Sequence, residues 1–278
     1  ERIATERDIV KEIDAVAPTS STIRESLRDD YNIESDLFLP PCIDTEKFYP
    51  RQVETGNEIY DFLSKETGLP RETVQQCRII TEISRTDKTK RKDVLIKAFA
   101  RLHAEDPDTI LVVAVDKRAE NAPELMQMIN DHNIESHTAA IGYEGERLPI
   151  LYAITRAYCS PSVMEGFGMA VQEAAATQTP VIGSNYIPFV KEYLLGENVE
   201  KVAREKGTEP VQIGEGGIMV PADDIDGFYY AMKRLMTDDV LHDRLGKGAY
   251  RITVPYFTWE DMTRRLLESI NVQIPNKE

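Results

Sequence analysis

Short runs of apolar, β-branched residues alternate along the chain with longer stretches in which apolar residues recur at helical spacing. The runs CRIITEIS (77–84), TILVVAVD (109–116), HTAAIGY (137–143), RAYCSPSV (156–163), TPVIGSN (179–185) and GGIMVP (216–221) read as strands. Each is almost continuously apolar rather than alternating, the pattern of a strand covered on both faces. Helix-like segments lie between them, at 91–105, 121–133, 146–155, 168–178, 187–195 and 223–237. Strand–helix alternation of this kind predicts right-handed βαβ units and an α/β fold with a doubly wound, Rossmann-like parallel sheet.

The two ends of the chain follow other patterns. The first residue is Glu1, and the opening ERIATERDIVKEIDAVAPTSS reads as a helix running into a strand already under way. That opening suggests a chain that begins within a larger protein. A capped helix follows, with Ser20 and Ser21 as candidate N-caps, then another strand and a Pro-rich connector. The polar segment 51–76 carries one helix near 56–67, stopped by the GLP at 68–70. Residues 1–44 therefore read as the end of one α/β domain and 45–257 as a nearly complete second one. The last segment, 258–278, opens as an amphipathic helix with Thr258 as N-cap and Met262, Leu266, Leu267 and Ile270 on one stripe. The polar stretch 194–217 reads as a surface excursion.

Composition narrows the partners. The 278 residues carry a formal charge of −15, and 41% are hydrophobic, enough for a core. An acidic surface repels nucleic acid and anionic membranes, so neither is expected as the main partner. It does not exclude a small anionic ligand, which responds to the local field. No apolar run reaches the roughly 18 residues of a membrane span, and no signal peptide is visible. Cys42, Cys77 and Cys159 show no paired spacing and read as small buried hydrophobes in a reducing compartment, the cytoplasm.

Ligands of a doubly wound sheet bind beyond the carboxyl ends of its strands. After the first predicted strand comes SRTDKTKRKD (84–93), which crowds Arg85, Lys88, Lys90, Arg91 and Lys92 at a helix entry. Helix N-termini carry positive potential and normally attract acids. Cations collected there make sense around an anion, and phosphate suits both the cations and the dipole. Arg85 and Lys90 are the candidate pair; Lys88, Arg91 and Lys92 read as a solvated charge run. After the fourth predicted strand comes EGFGMAVQE (165–173). Gly166 and Gly168 permit close backbone approach. The free N–H groups of Gly168, Met169 and Ala170 then face outward at the helix start. Glu165 precedes this turn and Glu173 lies roughly 7–8 Å along the helix, at about 1.5 Å per residue. That offset matches two carboxylates holding hydroxyls at either end of a diphosphate.

These residues resemble a known family. EGFGMAVQE is similar to the E-x7-E signature of retaining glycosyltransferases with the GT-B fold, glycosyltransferase family 4. SRTDKTKRKDVLIKAFARL resembles that family's phosphate-binding loop and helix, LPPCIDTEKFYP its linker entry, and FTWEDMTRRLLESI its final helix. RIATE and SRTDKTKRKD are similar to the sucrose-phosphate synthase-like hexosyltransferases. The resemblance covers almost the whole chain in order. It implies that Arg85 and Lys90 hold the diphosphate of a nucleotide sugar donor and stabilise the charge that develops on departure. It implies that Glu165 binds the sugar hydroxyls, with Gly166 and Phe167 beside it through backbone groups, and that Glu173 holds the ribose. Gly142 and Tyr143 would line the base pocket. The final helix would cross back onto a missing N-terminal domain that carries the acceptor site. No metal or other cofactor is implied.

The sequence departs from the family where NYIPFVKEY (185–193) replaces a glycine pair facing the donor. His103, His132, His137 and His242 all fall where surface or structural roles fit. DDID (223–226) has D-x-D spacing but starts a helix, so capping explains it. GEGG (214–217) is not a dinucleotide fingerprint. Within the family a hexosyltransferase leads, with a sugar phosphorylase or a nucleotide-sugar epimerase as alternatives. A non-catalytic nucleotide-sugar-binding module is the alternative of a different class. Base, sugar and acceptor stay open.

Overall fold

The computed structural model describes residues 9, 12–13, 15–142, 144–204 and 209–273, with backbone only at 270–273. Its centre is an eight-stranded sheet. The strands are β1 (Arg78–Glu82), β2 (Thr109–Ala114), β3 (Thr138–Ile141), β4 (Thr155–Ser160), β5 (Val181–Ser184), β6 (Glu200–Val202), β7 (Val211–Ile213) and β8 (Gly217–Val220). Their spatial order is β3-β2-β1-β4-β5-β8-β7-β6. From β3 to β8 all neighbours run parallel. β7 and β6 extend that edge antiparallel. The stretch 194–217, expected as a surface excursion, thus supplies a hairpin to the sheet, and the sheet is mixed rather than all parallel. Val211 and Ile213 are buried and hold the hairpin on, while β6 is an exposed edge carrying Glu200 and Lys201.

The α-helices are α1 (Ser21–Tyr31), α2 (Glu58–Thr67), α3 (Arg71–Gln76), α4 (Lys92–Glu105), α5 (Ala122–Asp131), α6 (Leu148–Ile154), α7 (Met169–Ala176), α8 (Ile225–Thr237), α9 (Asp239–Thr253) and α10 (Trp259–Gln273). Side chains alternate across each strand, so the sheet separates two cores. Ile79, Ile110 and Val112 face α2, α6 and α7. Ile80, Leu111 and Val113 face α4, α5 and α8. Both faces being covered explains why the strands read as unbroken apolar runs. The chain enters the sheet at β1, winds outward to β3, then crosses to β4 on the other side of β1. The switch point therefore lies between β1 and β4, where the loops that follow them diverge.

The ends are the least regular part. Ser20 caps α1, its side chain accepting from the Ile23 N–H at 3.3 Å, so Ser20 rather than Ser21 is the cap. The runs flanking α1, expected as strands, form no ladder among the described residues. They lie side by side through Leu39 N–H to Pro18 O at 3.0 Å and a Ser35 hydroxyl bond to Val16 O. Pro18, Pro40 and Pro41 lack the N–H groups that a ladder needs. Residues 1–8, where part of the opening helix was expected, lie outside the described residues. Ile43 and Thr258 form an isolated parallel bridge, with Ile43 N–H bonded to Phe257 O at 2.8 Å. Thr258 caps α10 through the Asp261 N–H at 3.2 Å. On its expected apolar stripe Met262 is buried, Leu266 half-buried and Leu267 exposed, and the Ile270 side chain lies outside the described residues. Among the described residues no helix is long and apolar enough to cross a membrane.

Candidate donor-binding site

The loops after β1 and β4 meet at the switch point. In the β1 loop, Asp87 caps a short 3-10 turn, Lys88–Lys90, by accepting the Thr89 N–H at 2.9 Å. The turn is stapled to the β4 loop: Thr89 O accepts the Val163 N–H at 2.8 Å. It also directs Lys90 inward. The Lys90 ammonium is buried and donates to Glu165 Oε1 at 2.6 Å, Met164 O at 3.2 Å and Ser162 Oγ at 3.5 Å. Two residues from separate predicted loops are thereby brought into contact. Arg85 behaves differently: its side chain is 86% exposed, and its one ion pair among the described residues is with Asp87 at 3.9 Å.

A cavity of about 500 Å³ opens between these loops, lined by Arg85, Lys90, Glu165 and the turn Gly166–Ala170. Gly168 is the N-cap of α7 with φ of 110°, and no side chain caps this end. A Cβ on Gly168 would lie 2.7 Å from Ile187 Cγ2, so both conformation and space require glycine. At Gly166 a Cβ would meet open space. The first N–H groups of α7 thus face the same cavity as Arg85 and Lys90. An anion there meets a helix N-terminus and two cations together.

A second cavity, of about 1070 Å³, adjoins beyond the ends of β1, β2 and β3. It shares Ile83, Ser84 and Arg85 with the first and includes Gly142. Arg85 therefore stands on the divide between the two. Tyr143, the other residue expected there, lies outside the described residues.

Of two other expected site residues, Phe167 lines the first cavity but Glu173 lines neither. Phe167 turns its ring into a cluster with Phe189, Tyr193 and Phe257, at centroid distances of 5.3, 6.1 and 5.6 Å. Its carbonyl accepts the Phe189 N–H at 3.0 Å, which removes one of its two backbone groups from donor contact. The NYIPFVKEY segment thus buttresses the glycine turn from beneath, which its sequence did not disclose. Glu173 lines neither cavity and sits beside the Tyr152 hydroxyl, which donates to Oε2 at 3.4 Å. Burial raises its pKa to about 7, opposed by the Tyr152 bond and by Lys47.

The supposed charge run divides. Lys88 is exposed, while Arg91, at φ of 50°, pairs with Asp93 and Asp223. Lys92 is fully buried against Glu82, so it is not solvated at all. Ser84, Tyr158 and Ser160 also line the first cavity, with Thr19 and Pro41 from the N-terminal segment. None of these five stood out in the sequence; for Ser84 the only signal was its place beside Arg85. The four histidines line neither cavity. His103 and His137 pack together at 4.3 Å. Asp224 caps α8 by accepting the Gly227 N–H at 2.8 Å, as expected of DDID. The three cysteines are free, and only Cys159 is fully buried.

Known proteins are similar to this chain in sequence or fold. A D-inositol 3-phosphate glycosyltransferase of Stackebrandtia nassauensis is 26% identical over 96% of this chain and 56% of its own length. The chain thus spans little more than half of that relative. Sucrose-phosphate synthase from Thermosynechococcus elongatus superposes with a TM-score of 0.72 at 21% identity, over 98% of this chain and 61% of that one. Anabaena Alr3699/HepE, solved in complex with UDP, superposes at 0.75 and 14% identity, over 97% and 67%. These neighbours share the fold, that of GT-B glycosyltransferases. The family model for glycosyl transferases group 1 matches residues 71–252, which include both loops of the site, and the chain belongs to that family.

Proposed function

We propose that this chain is the donor-binding part of a retaining glycosyltransferase, and that it holds a nucleotide diphosphate sugar across the β1 and β4 loops. The observation that carries the reading is the convergence of Arg85, Lys90 and the uncapped start of α7 on one cavity. The nucleoside lies in the larger cavity beside Gly142, the diphosphate beneath Arg85, and the hexose near Glu165. In the transfer, the bond between the anomeric carbon and the diphosphate oxygen breaks, and its electron pair leaves with the diphosphate. The acceptor hydroxyl attacks from the same face and passes its proton to a departing oxygen. Arg85, Lys90 and the N–H groups of α7 stabilise the charge that appears on the leaving group, and they are already in place before it develops. Glu165 keeps one oxygen on Lys90 and offers the other to sugar hydroxyls. Glu173, which lines neither cavity, makes no donor contact in this reading. The acceptor is held by a further domain of the complete protein, and binding of UDP by a neighbour of the same fold is consistent with the donor class.

Calorimetric titration of the chain with UDP, GDP and ADP tests this. One of the three should bind, and Arg85→Ala should weaken it by about 10- to 100-fold, as expected for loss of a charge-assisted contact to phosphate. Absence of binding for all three, or an Arg85→Ala affinity equal to the parent's, would sink the reading.

A further inference from the structure

We propose that the buried Lys92–Glu82 ion pair is the positioning device for Arg85. Glu82 ends β1 and is 1% exposed; Lys92 begins α4 and is equally buried. The ammonium of Lys92 has three donors and three acceptors: Glu82 Oε2, Ser84 O at 3.3 Å and Ser84 Oγ at 2.9 Å. The Ser84 hydroxyl in turn donates to Glu82 Oε1. The circuit is closed, and three of its four links involve Ser84, the residue before Arg85.

An ion pair is not needed here merely to hold β1 to α4, because a well-packed apolar pair at such a site is often at least as stable. What the ions add is direction. The bond to Ser84 O fixes the peptide plane that leads into Arg85. Lys90 has its own anchors in Met164 O, Ser162 and the Thr89–Val163 bond. Among the described residues the Arg85 side chain has only Asp87, at 3.9 Å, so its aim depends on its backbone. Lys92 reaches back across the base of the loop and supplies the anchor that the β4 loop does not. This role rests on the proposal that Arg85 meets the donor diphosphate.

The test is a cycle on the folded chain. Glu82→Leu with Lys92→Met removes both charges together, and circular dichroism and melting temperature report whether the fold survives. The nucleoside diphosphate that binds the parent should bind this variant about tenfold more weakly, since a small misplacement of a positioned group is costly. The matching nucleoside should bind both equally. In an Arg85→Ala background the same pair of substitutions should cause no further loss, because the anchor acts only through Arg85. Unchanged diphosphate affinity, or a loss that adds in full to that of Arg85→Ala, overturns the proposal. Lys92→Met with Glu82→Gln, which leaves the Ser84 hydroxyl a neutral partner and removes the bond to Ser84 O, serves if the first double variant does not fold. It should show the same masking by Arg85→Ala, and affinity equal to the parent's overturns the proposal as well. If the parent binds no diphosphate, the donor reading falls first and the anchor with it.

Discussion

The contrast between Lys90 and Lys92 shows how far single residues can be read. Both stand in one basic run, and both are buried. The sequence places Lys90 near an anion site through its position after a strand, and it conceals Lys92, because a run of cations normally means solvent. Only the packing of α4 against β1 turns Lys92 onto Glu82. Glu173 carries a similar lesson: its spacing from Glu165 was visible, its burial beside Tyr152 was not. That burial has a pH signature. With a folded pKa near 7 against an ordinary 4.5, the folded protein keeps a proton there that the unfolded chain has released. Stability contributed by this group is present below about pH 4.5 and is lost as pH rises through 7, by about 3 kcal/mol. Glu173→Gln cannot ionise. Urea unfolding should find it more stable than the parent by about 1–3 kcal/mol at pH 8 and equal to it near pH 4. A difference independent of pH would show that burial does not set this carboxyl's state.

At the scale of elements, the six parallel strands were legible because each is apolar on both faces and is bounded by polar loops. The helix α9 was not. Its interior holds Gly246 and Gly248, which lower helix propensity by about 1 kcal/mol each relative to alanine. Their reason is tertiary. A Cβ on Gly246 would strike the carbonyl oxygen of Gln178, and one on Gly248 that of Glu215, so α9 packs its backbone directly on neighbouring loops. The helix expected at 187–195 is present at 188–194, and only its π geometry over Val190–Leu194 was hidden, arising where NYIPFVKEY folds beneath the glycine turn. For Gly248→Ala, propensity and packing predict opposite signs. The obstacle is backbone and cannot rotate away, so packing prevails. The variant should lose about 1–3 kcal/mol in urea despite the better helix former. A gain in stability would mean that α9 can slide outward at little cost.

The whole molecule joins distant parts of the chain beneath the site. Phe257, in the link between α9 and α10, is fully buried and packs on Phe167, Phe189 and Tyr193 at 5.6, 5.4 and 4.9 Å. Its carbonyl accepts the Ile43 N–H, so the connector from the N-terminal segment ends on the same residue. Gln172 adds a second tie, donating to Pro41 O at 2.9 Å from α7. Pro41 and Thr19 line the cavity under Arg85. The connector at 41–43, the link into α10 and the glycine turn therefore meet at one aromatic core. Sequence reading could propose that the two termini approach, from family resemblance, but it could not locate the joint, because Phe257 lies in no periodic run. Phe257→Ala empties the centre of that joint and should cost about 3–5 kcal/mol in urea unfolding, the range for a large aromatic removed from a rigid core. Phe257→Leu keeps most of the volume and should cost less than about 1.5 kcal/mol. The glycine turn rests on Phe167, so the alanine variant should also weaken binding of the nucleoside diphosphate, even under conditions where it is fully folded. A small stability loss with unchanged binding would show that the connector and the turn are held independently, and that the shared core does not couple the ends of the chain to the site.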